Sequence, residues 1–346
     1  MNDRPQRDPA APRLHDTTLV LDTHVDIRWP NTPDPADDTD RQVDFAKMRR
    51  GGMNAAIFIA YVPQAACTPE GHAAAGARAE AMLRAIAATA EGGNNRGRFC
   101  RTAADLVAAH EAGALGVMCA VENGYAMGHD LSRLALWRRL GAVYVTLTHD
   151  GHNDLSDSAR PRADLADPVS VHGGLSALGR AAIVEMNRVG LLVDVSHVSR
   201  DAMLQAAALS RTPVVATHAC CRALCDHPRN LDDAQLDALR DVAGLIQITA
   251  VPAFLRAATP GTRSTASVAE YVDHVDHAVR RIGIEHVGLS SDFDGGGGLT
   301  DWRDAGSTGH VTGELQRRGY SAQEIRLLWS GNFIRLLRQA ALVARG

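Results

Sequence analysis

The chain has 346 residues, 45% hydrophobic and 22% charged, with a formal net charge of −4. That length fits one large α/β domain or two of ordinary size, and the mild, scattered acidity excludes a protein built to hold a phosphate backbone. No apolar run approaches the roughly 18 residues needed to span a bilayer, and aromatic residues, at 4%, are too few for base-stacking platforms. The opening MNDRPQRDPAAPRLHD lacks the apolar core of a secretory signal. Six cysteines in so long a chain do not make a disulfide framework. The expectation is a cytoplasmic protein with reduced thiols that handles a small molecule and binds neither nucleic acid nor membrane.

Short apolar, β-branched runs alternate with Ala- and Leu-rich stretches of helical period. In chain order, strands are predicted at 18–22, 55–60, 115–121, 142–147, 191–195, 213–216, 244–249 and 286–290. Helices are predicted at 73–90, 103–111, 131–140, 176–189, 200–208, 232–240 and 267–281. Gly51, Gly52, Gly113, Gly141, Gly190 and Gly283 stand where helix C-caps belong. Strands apolar at nearly every position are those covered on both faces, as in a parallel sheet under helices. Eight such repeats predict an α/β fold closed into a (β/α)8 TIM-like barrel rather than an open doubly wound sheet. No linker interrupts the rhythm. The expectation is a single domain over 1–346, with a polar extension at about 1–14 and a helical tail, 323–343, packed outside. The irregular stretches 29–39 and 150–172 follow strand ends and read as active-site loops.

The residues at the strand tips carry the chemistry, because barrel active sites assemble at the C-terminal ends of the strands. The first strand ends in Thr23-His24-Val25-Asp26, the third in Glu122, the fourth in His149, the fifth in His197, the sixth in His218 and the eighth in Asp292. One histidine beyond a strand is ordinarily a loop residue; six convergent tips point at one small volume. Imidazoles and carboxylates are zinc's ligands in catalytic sites. Four histidines and three carboxylates exceed the needs of one ion, whereas two ions about 3.5–4 Å apart would use most of them around a bridging carboxylate. The only lysine, Lys47, is far from any tip, so a carboxylated lysine is not available and Glu122 is the natural bridge.

The segments LDTHVD, AVENG, LTHDGHND, LLVDVSHVS, ATHA, HPRNLDD and GLSSDFDG together resemble the membrane (renal) dipeptidase family, peptidase family M19, over roughly residues 15–340. The resemblance implies a metal-dependent hydrolase barrel holding two Zn2+ per chain and cleaving dipeptides through a metal-bridging hydroxide. By that resemblance, His24, Asp26 and Glu122 hold one zinc, and Glu122, His197 and His218 the other. Asp292 lies at the first metal and takes the proton of the bridging water, His149 lies by the substrate carbonyl, and Arg229 holds the dipeptide's C-terminal carboxylate. His152, three past His149, is the best loop histidine for a further substrate contact, ahead of His129 and His172. The loop 150–172 looks like that of bacterial members, for which L-Xaa-D-Yaa substrates are expected, and a homodimer is expected from the family. Two alternatives remain: a binuclear amidohydrolase acting on a lactam, cyclic amide or N-acyl amino acid, and a non-catalytic metal-binding barrel. Arg229 speaks against a lactam or cyclic amide, since a free α-carboxylate is what it would clamp; the presence of every ligand and of both substrate-handling residues speaks against the non-catalytic barrel.

Other features have plainer readings. His274 and His277 read as part of a solvated, charged helix, and the cluster Asp34, Asp37, Asp38 and Asp40 as an exposed loop. Cys220, Cys221 and Cys225 lack the second pair of a zinc knuckle. The glycine run 295–298 reads as mobile rather than anion-binding, Asp294 as a turn residue, and Phe254 as a pocket wall or core.

Overall fold

A computed structural model of the chain describes residues 14–31, 33–90, 97–258 and 261–345; most of the expected N-terminal extension lies outside them. Among the described residues nine strands form one parallel sheet: β1 Leu21–Asp26, β2 Ala55–Tyr61, β3 Arg98–Phe99, β4 Gly116–Glu122, β5 Ala142–Thr146, β6 Leu192–Asp194, β7 Val215–Ala219, β8 Leu245–Ile248 and β9 Val287–Leu289. The order is β1-β2-β4-β5-β6-β7-β8-β9, with the two-residue β3 pairing alongside β4. Backbone bonds just past β9 complete the ring: Asp26 N–H donates to Phe293 O at 2.9 Å and Asp292 N–H to His24 O at 3.1 Å. The predicted barrel is the fold.

Its helices begin and end where local chemistry dictates. Ser176, Ser199 and Asp232 each accept a backbone N–H from the first turn that follows, opening Ala177–Val189, Arg200–Leu209 and Asp233–Asp241. Gly190, at φ 78°, ends the first of these in the left-handed conformation that glycine adopts without strain. The tail divides into Ala322–Arg326, a π turn at Leu327–Gly331 and the helix Asn332–Val343. That last helix does not lie on the flank. Phe333, Leu336, Leu337 and Ala340 cluster with Leu21, Ala55, Leu192, Val215 and Leu245, the first residues of their strands or next to them, and so form the floor of the barrel.

Two of the expected strands are displaced by two or more residues at both ends, the others by one at most. The first strand is Leu21–Asp26 rather than 18–22, and the sixth predicted strand is Val215–Ala219 rather than 213–216. Strand pairing uses backbone groups and tolerates any inward side chain, so polarity at His24, Asp26 and His218 does not end the ladder. The pairing register slips between Asp22 and Val25, between Cys119 and Val121, and between Ala216 and Ala219. Each irregularity lies at or just below His24, Glu122 or His218. Bulges beside active sites re-aim side chains in this way.

Candidate metal centre

The C-terminal mouth of the barrel opens into a cavity of about 420 Å³ lined by Asp26, Glu122, His149, His197, His218, Arg229 and Asp292, with Asp150, Arg160, His227, Phe254 and Gly295 among its other walls. Glu122 is at the centre. Its Oε1 is 3.2 Å from His197 Nε2 and 3.3 Å from His218 Nε2, and its Oε2 is 3.7 Å from His24 Nε2. Three sets of donors each lie within 4.8 Å of one another: His24, Glu122 and His218; Glu122, His149 and His197; His24, Asp26 and Asp292. Glu122, with two carboxylate oxygens, belongs to two of these sets, which is what a site for two neighbouring cations requires of a shared ligand.

The histidines are held in the tautomer that metal ligation needs. Tyr144 donates its hydroxyl to Thr23 O at 2.9 Å, so its oxygen accepts Nδ1–H of His24 at 3.0 Å and leaves Nε2 with a free lone pair. Thr217 donates its hydroxyl to Asp194 Oδ2 at 2.7 Å and therefore accepts Nδ1–H of His218 at 2.9 Å. His197 Nδ1 faces Asp150 Oδ1 at 3.2 Å. Ligating histidines are oriented by such partners on their other nitrogen. The Nε2 atoms of His197 and His218 meet at 2.9 Å, and His24 Nε2 and Asp26 Oδ1 are buried without a hydrogen-bond partner. Bare acceptors facing one another in a dry site are poorly tolerated and fit residues arranged around cations.

The electrostatics agree. Burial lowers His24, but Glu122, Asp26 and Asp292 outweigh it and push the imidazole up to about 10. Burial together with Glu122 drives Asp26 well above the usual carboxylate range. Burial would raise Glu122 too, yet His24, His197 and His218 hold it well below. Asp292 is pushed up to about 6 by burial and by Glu122, against His24. Three carboxylates crowd one buried volume, a concentration of negative charge that divalent cations would neutralise.

Two tips stand on strained backbone. His197 has φ 67° and Asp292 φ 62°, in the left-handed region. The His197 carbonyl accepts Ala159 N–H at 2.7 Å, and the Asp292 carbonyl accepts the amides of Gly295, Gly296 and Gly297 at 3.2, 3.0 and 2.7 Å. Those amides are spent on one carbonyl, so the glycine run is a tight turn and not an anion nest. Gly295 is required there: a Cβ would sit 2.0 Å from Asp26 Oδ2 and 2.4 Å from Asp292 Oδ1.

His152 is not brought to the cavity. Its Nδ1 accepts Ser158 N–H at 2.9 Å and its Nε2 bonds Pro168 O at 2.9 Å, so the ring organises the loop, and both nitrogens are occupied. His274 is buried, with Nδ1 accepting Cys221 N–H and Nε2 bonding Leu255 O; the solvated-face reading fails because this helix packs that side against the segments that carry Cys221 and Leu255. Lys47 is tied to Asp44 and Thr39 away from the cavity. Asp294 accepts the amides of Gln42 and Val43 and pairs with Arg41, a turn anchor as expected. Phe254 is a wall, with Arg229 Cζ 5.3 Å from its ring centre and His227 4.5 Å away.

Sequence reasoning missed Tyr61, whose ring lies 4.8 Å from that of His149, as well as Asp150, Tyr144 and the orienting carboxylate Asp194. It also missed Asp22, whose Oδ1 accepts both His24 N–H and Ser291 N–H across the barrel seam. For Asp22 and Asp194 a clue was present: each is a carboxylate embedded in an apolar strand run, LVLD and LLVDV.

A parallel barrel whose strand ends gather imidazoles and carboxylates around a shared glutamate is a metal-dependent hydrolase. The sequence matches the membrane dipeptidase family (peptidase family M19) over residues 9–346, and the chain belongs to that family. Dipeptidase tcpJ of Claviceps purpurea is 32% identical over 340 residues, 96% of this chain and 76% of that protein. The crystal structure of the probable dipeptidase PvdM from Pseudomonas aeruginosa superposes with a TM-score of 0.89 at 29% identity, covering 96% and 97% of the two chains. A metallopeptidase from Rhodobacter sphaeroides, liganded with a phosphinate mimic of the dipeptide L-Ala-D-Ala, has a TM-score of 0.78 at 26% identity, with 93% and 99% covered.

Proposed function

We propose that this protein is a binuclear zinc dipeptidase. His24, Asp26, Glu122 and Asp292 would hold one ion, and Glu122, His197 and His218 the other. Bound there, zinc would supply Lewis acidity toward the scissile carbonyl and acidify a water to a nucleophile near neutral pH. The chain's own groups do the rest. Asp292 takes the proton that the attacking water gives up and returns it to the amine nitrogen as the C–N bond breaks. His149, lowered to about 3 by burial and by His197, stays neutral and donates N–H to the developing oxyanion. Arg229 fixes the substrate's free α-carboxylate.

The observation that carries this reading is Arg229 itself. It is 3% exposed, spends Nη2 on His218 O at 3.2 Å, and leaves Nε buried without a partner in the same cavity as the donors. A buried guanidinium with an unused donor asks for an anion. A dipeptide carboxylate beside the metal centre meets that demand, and a lactam or cyclic amide without a free carboxylate does not. The Rhodobacter relative's phosphinate ligand favours including L-Xaa-D-Yaa substrates.

The test is metal content on purified protein together with ninhydrin assays on L-Xaa-L-Yaa and L-Xaa-D-Yaa dipeptides. At least two zinc ions per chain with turnover are expected. Arg229→Ala should raise KM by about 10- to 100-fold, corresponding to the roughly 1.5–3 kcal/mol of a charged hydrogen bond. Metal without dipeptide turnover, or an unchanged KM in the variant, would refute the proposal.

A further inference from the structure

Outside the barrel mouth, a second group of side chains able to ligate a metal is assembled from two loops and the start of a helix. Cys67 ends the loop after β2, His72 is in the first turn of the helix Pro69–Thr89 that follows, and Asp154 is in the loop after β5. One donor atom from each lies within 4.8 Å of the other two. His72 Nε2 is 2.9 Å from Asp154 Oδ2, yet neither atom is aligned for a hydrogen bond and both are shielded from solvent. His129 approaches the same carboxylate oxygen from a fourth segment at 3.5 Å. None of these residues lines the barrel-mouth cavity.

We propose that Cys67, His72 and Asp154 form a second, peripheral site for a borderline-soft divalent cation such as Zn2+, with His129 as its fourth donor. The donor chemistry selects the ion: a thiolate beside imidazole disfavours Mg2+ and Ca2+ and suits zinc or cobalt in a four-coordinate site. The surrounding backbone is shaped for the cluster. Thr68 caps the helix by accepting Gly71 N–H at 3.1 Å, and Tyr125 donates its hydroxyl to Ala66 O at 2.9 Å, fixing the turn that carries Cys67. Tyr125 also packs on the His72 ring at 5.0 Å. A Cβ at Gly128 would come within 2.8 Å of His72 Cβ, so only glycine lets the His129 segment lie this close. Binding replaces the Cys67 S–H bond by a sulfur–metal bond and releases that proton to solvent.

Cobalt substitution isolates this site from the catalytic one, whose donors include no sulfur. The reduced full-length protein, titrated with Co2+, should develop a thiolate-to-cobalt charge-transfer band in the near ultraviolet. Cys67→Ser should abolish that band and remove one ion per chain from the uptake, while dipeptide turnover stays at the wild-type rate. His72→Gln, which keeps the thiol, should weaken the band's Co2+ dependence by about tenfold or more. Absence of the band from the cobalt-loaded wild type would overturn the proposal. A band unchanged in His72→Gln would also overturn it, since the thiol would then bind cobalt without the cluster. Either result leaves the barrel-mouth reading standing, because that centre is read out by turnover.

Discussion

Asp194→Asn tests how the barrel orients His218, one of the proposed metal ligands. Asp194 Oδ1 accepts two backbone amides, Ser196 N–H at 2.9 Å and Thr217 N–H at 3.1 Å, while Oδ2 accepts the hydroxyls of Thr146 at 2.5 Å and Thr217 at 2.7 Å. An asparagine must keep its carbonyl on the amides, so its NH2 faces the two hydroxyls. The Thr217 hydroxyl then loses its acceptor. Its proton must go to Ser196 Oγ, a long 3.4 Å contact, or to His218 Nδ1. The second arrangement forces the proton onto Nε2 and blocks ligation; the first keeps the tautomer but strips the imidazole of its anionic support. Losses of this kind weaken metal binding by about 10- to 100-fold, or roughly 1.4–2.7 kcal/mol. Folding should change by only about 1 kcal/mol, because both backbone bonds survive. Zinc affinity against a competing chelator, measured beside a denaturant melt, separates the two quantities. Equal zinc affinity in variant and wild type would refute the orienting role of Asp194.

Gly295→Ala places a methyl 2.0 Å from Asp26 Oδ2 and should cut kcat by at least about tenfold with little change in melting temperature, as both carboxylates must move; full activity would show that the turn yields freely. His149→Ala should lower kcat by about 10²-fold, the size of one lost oxyanion donor, with metal content unchanged; lost metal would instead make His149 a ligand, as its closeness to Glu122 and His197 permits. Asp157 pins the loop after β5. Burial would raise its pKa, but bonds from Ser170, Gly174, Val171 and His172 prevail and bring it down to about 2. Because the folded value is depressed, its stabilisation is complete above the ordinary aspartate range and fades as pH falls toward 2. Proteolysis within 158–172 should therefore accelerate between pH 4 and pH 2 in the wild type, and Asp157→Asn should be susceptible already at neutral pH. Equal cleavage of the two proteins at neutral pH would contradict this.

The barrel was legible because eight apolar runs stand at helical separations, and a strand covered on both faces carries that pattern regardless of its neighbours. The cavity residues were legible for a geometric reason: parallel strands bring their ends together, so chemistry at successive ends meets in space. Position along a strand was harder to read. His24, Asp26 and His218 belong to the ladder rather than to loops, since backbone pairing is indifferent to an inward polar side chain. His152 shows a further limit. Only the folded loop shows that Ser158 N–H and Pro168 O have taken both of its nitrogens. Asp194 and Tyr144 act through hydrogen bonds to other residues, and such relays connect strands distant in sequence, 121 residues apart for Tyr144 and Thr23.

The left-handed backbone at His197 and Asp292 sets stability against function in this barrel. A residue with a Cβ in that region costs roughly 1–2 kcal/mol that glycine avoids. Glycine at either position would relax the main chain while deleting a cavity side chain. Variants selected for heat resistance alone should therefore drift toward glycine at these tips and emerge sturdier and inactive. Their persistence as histidine and aspartate in a natural barrel would then reflect selection on turnover, and a library screened separately for melting temperature and for hydrolysis should divide at these two codons.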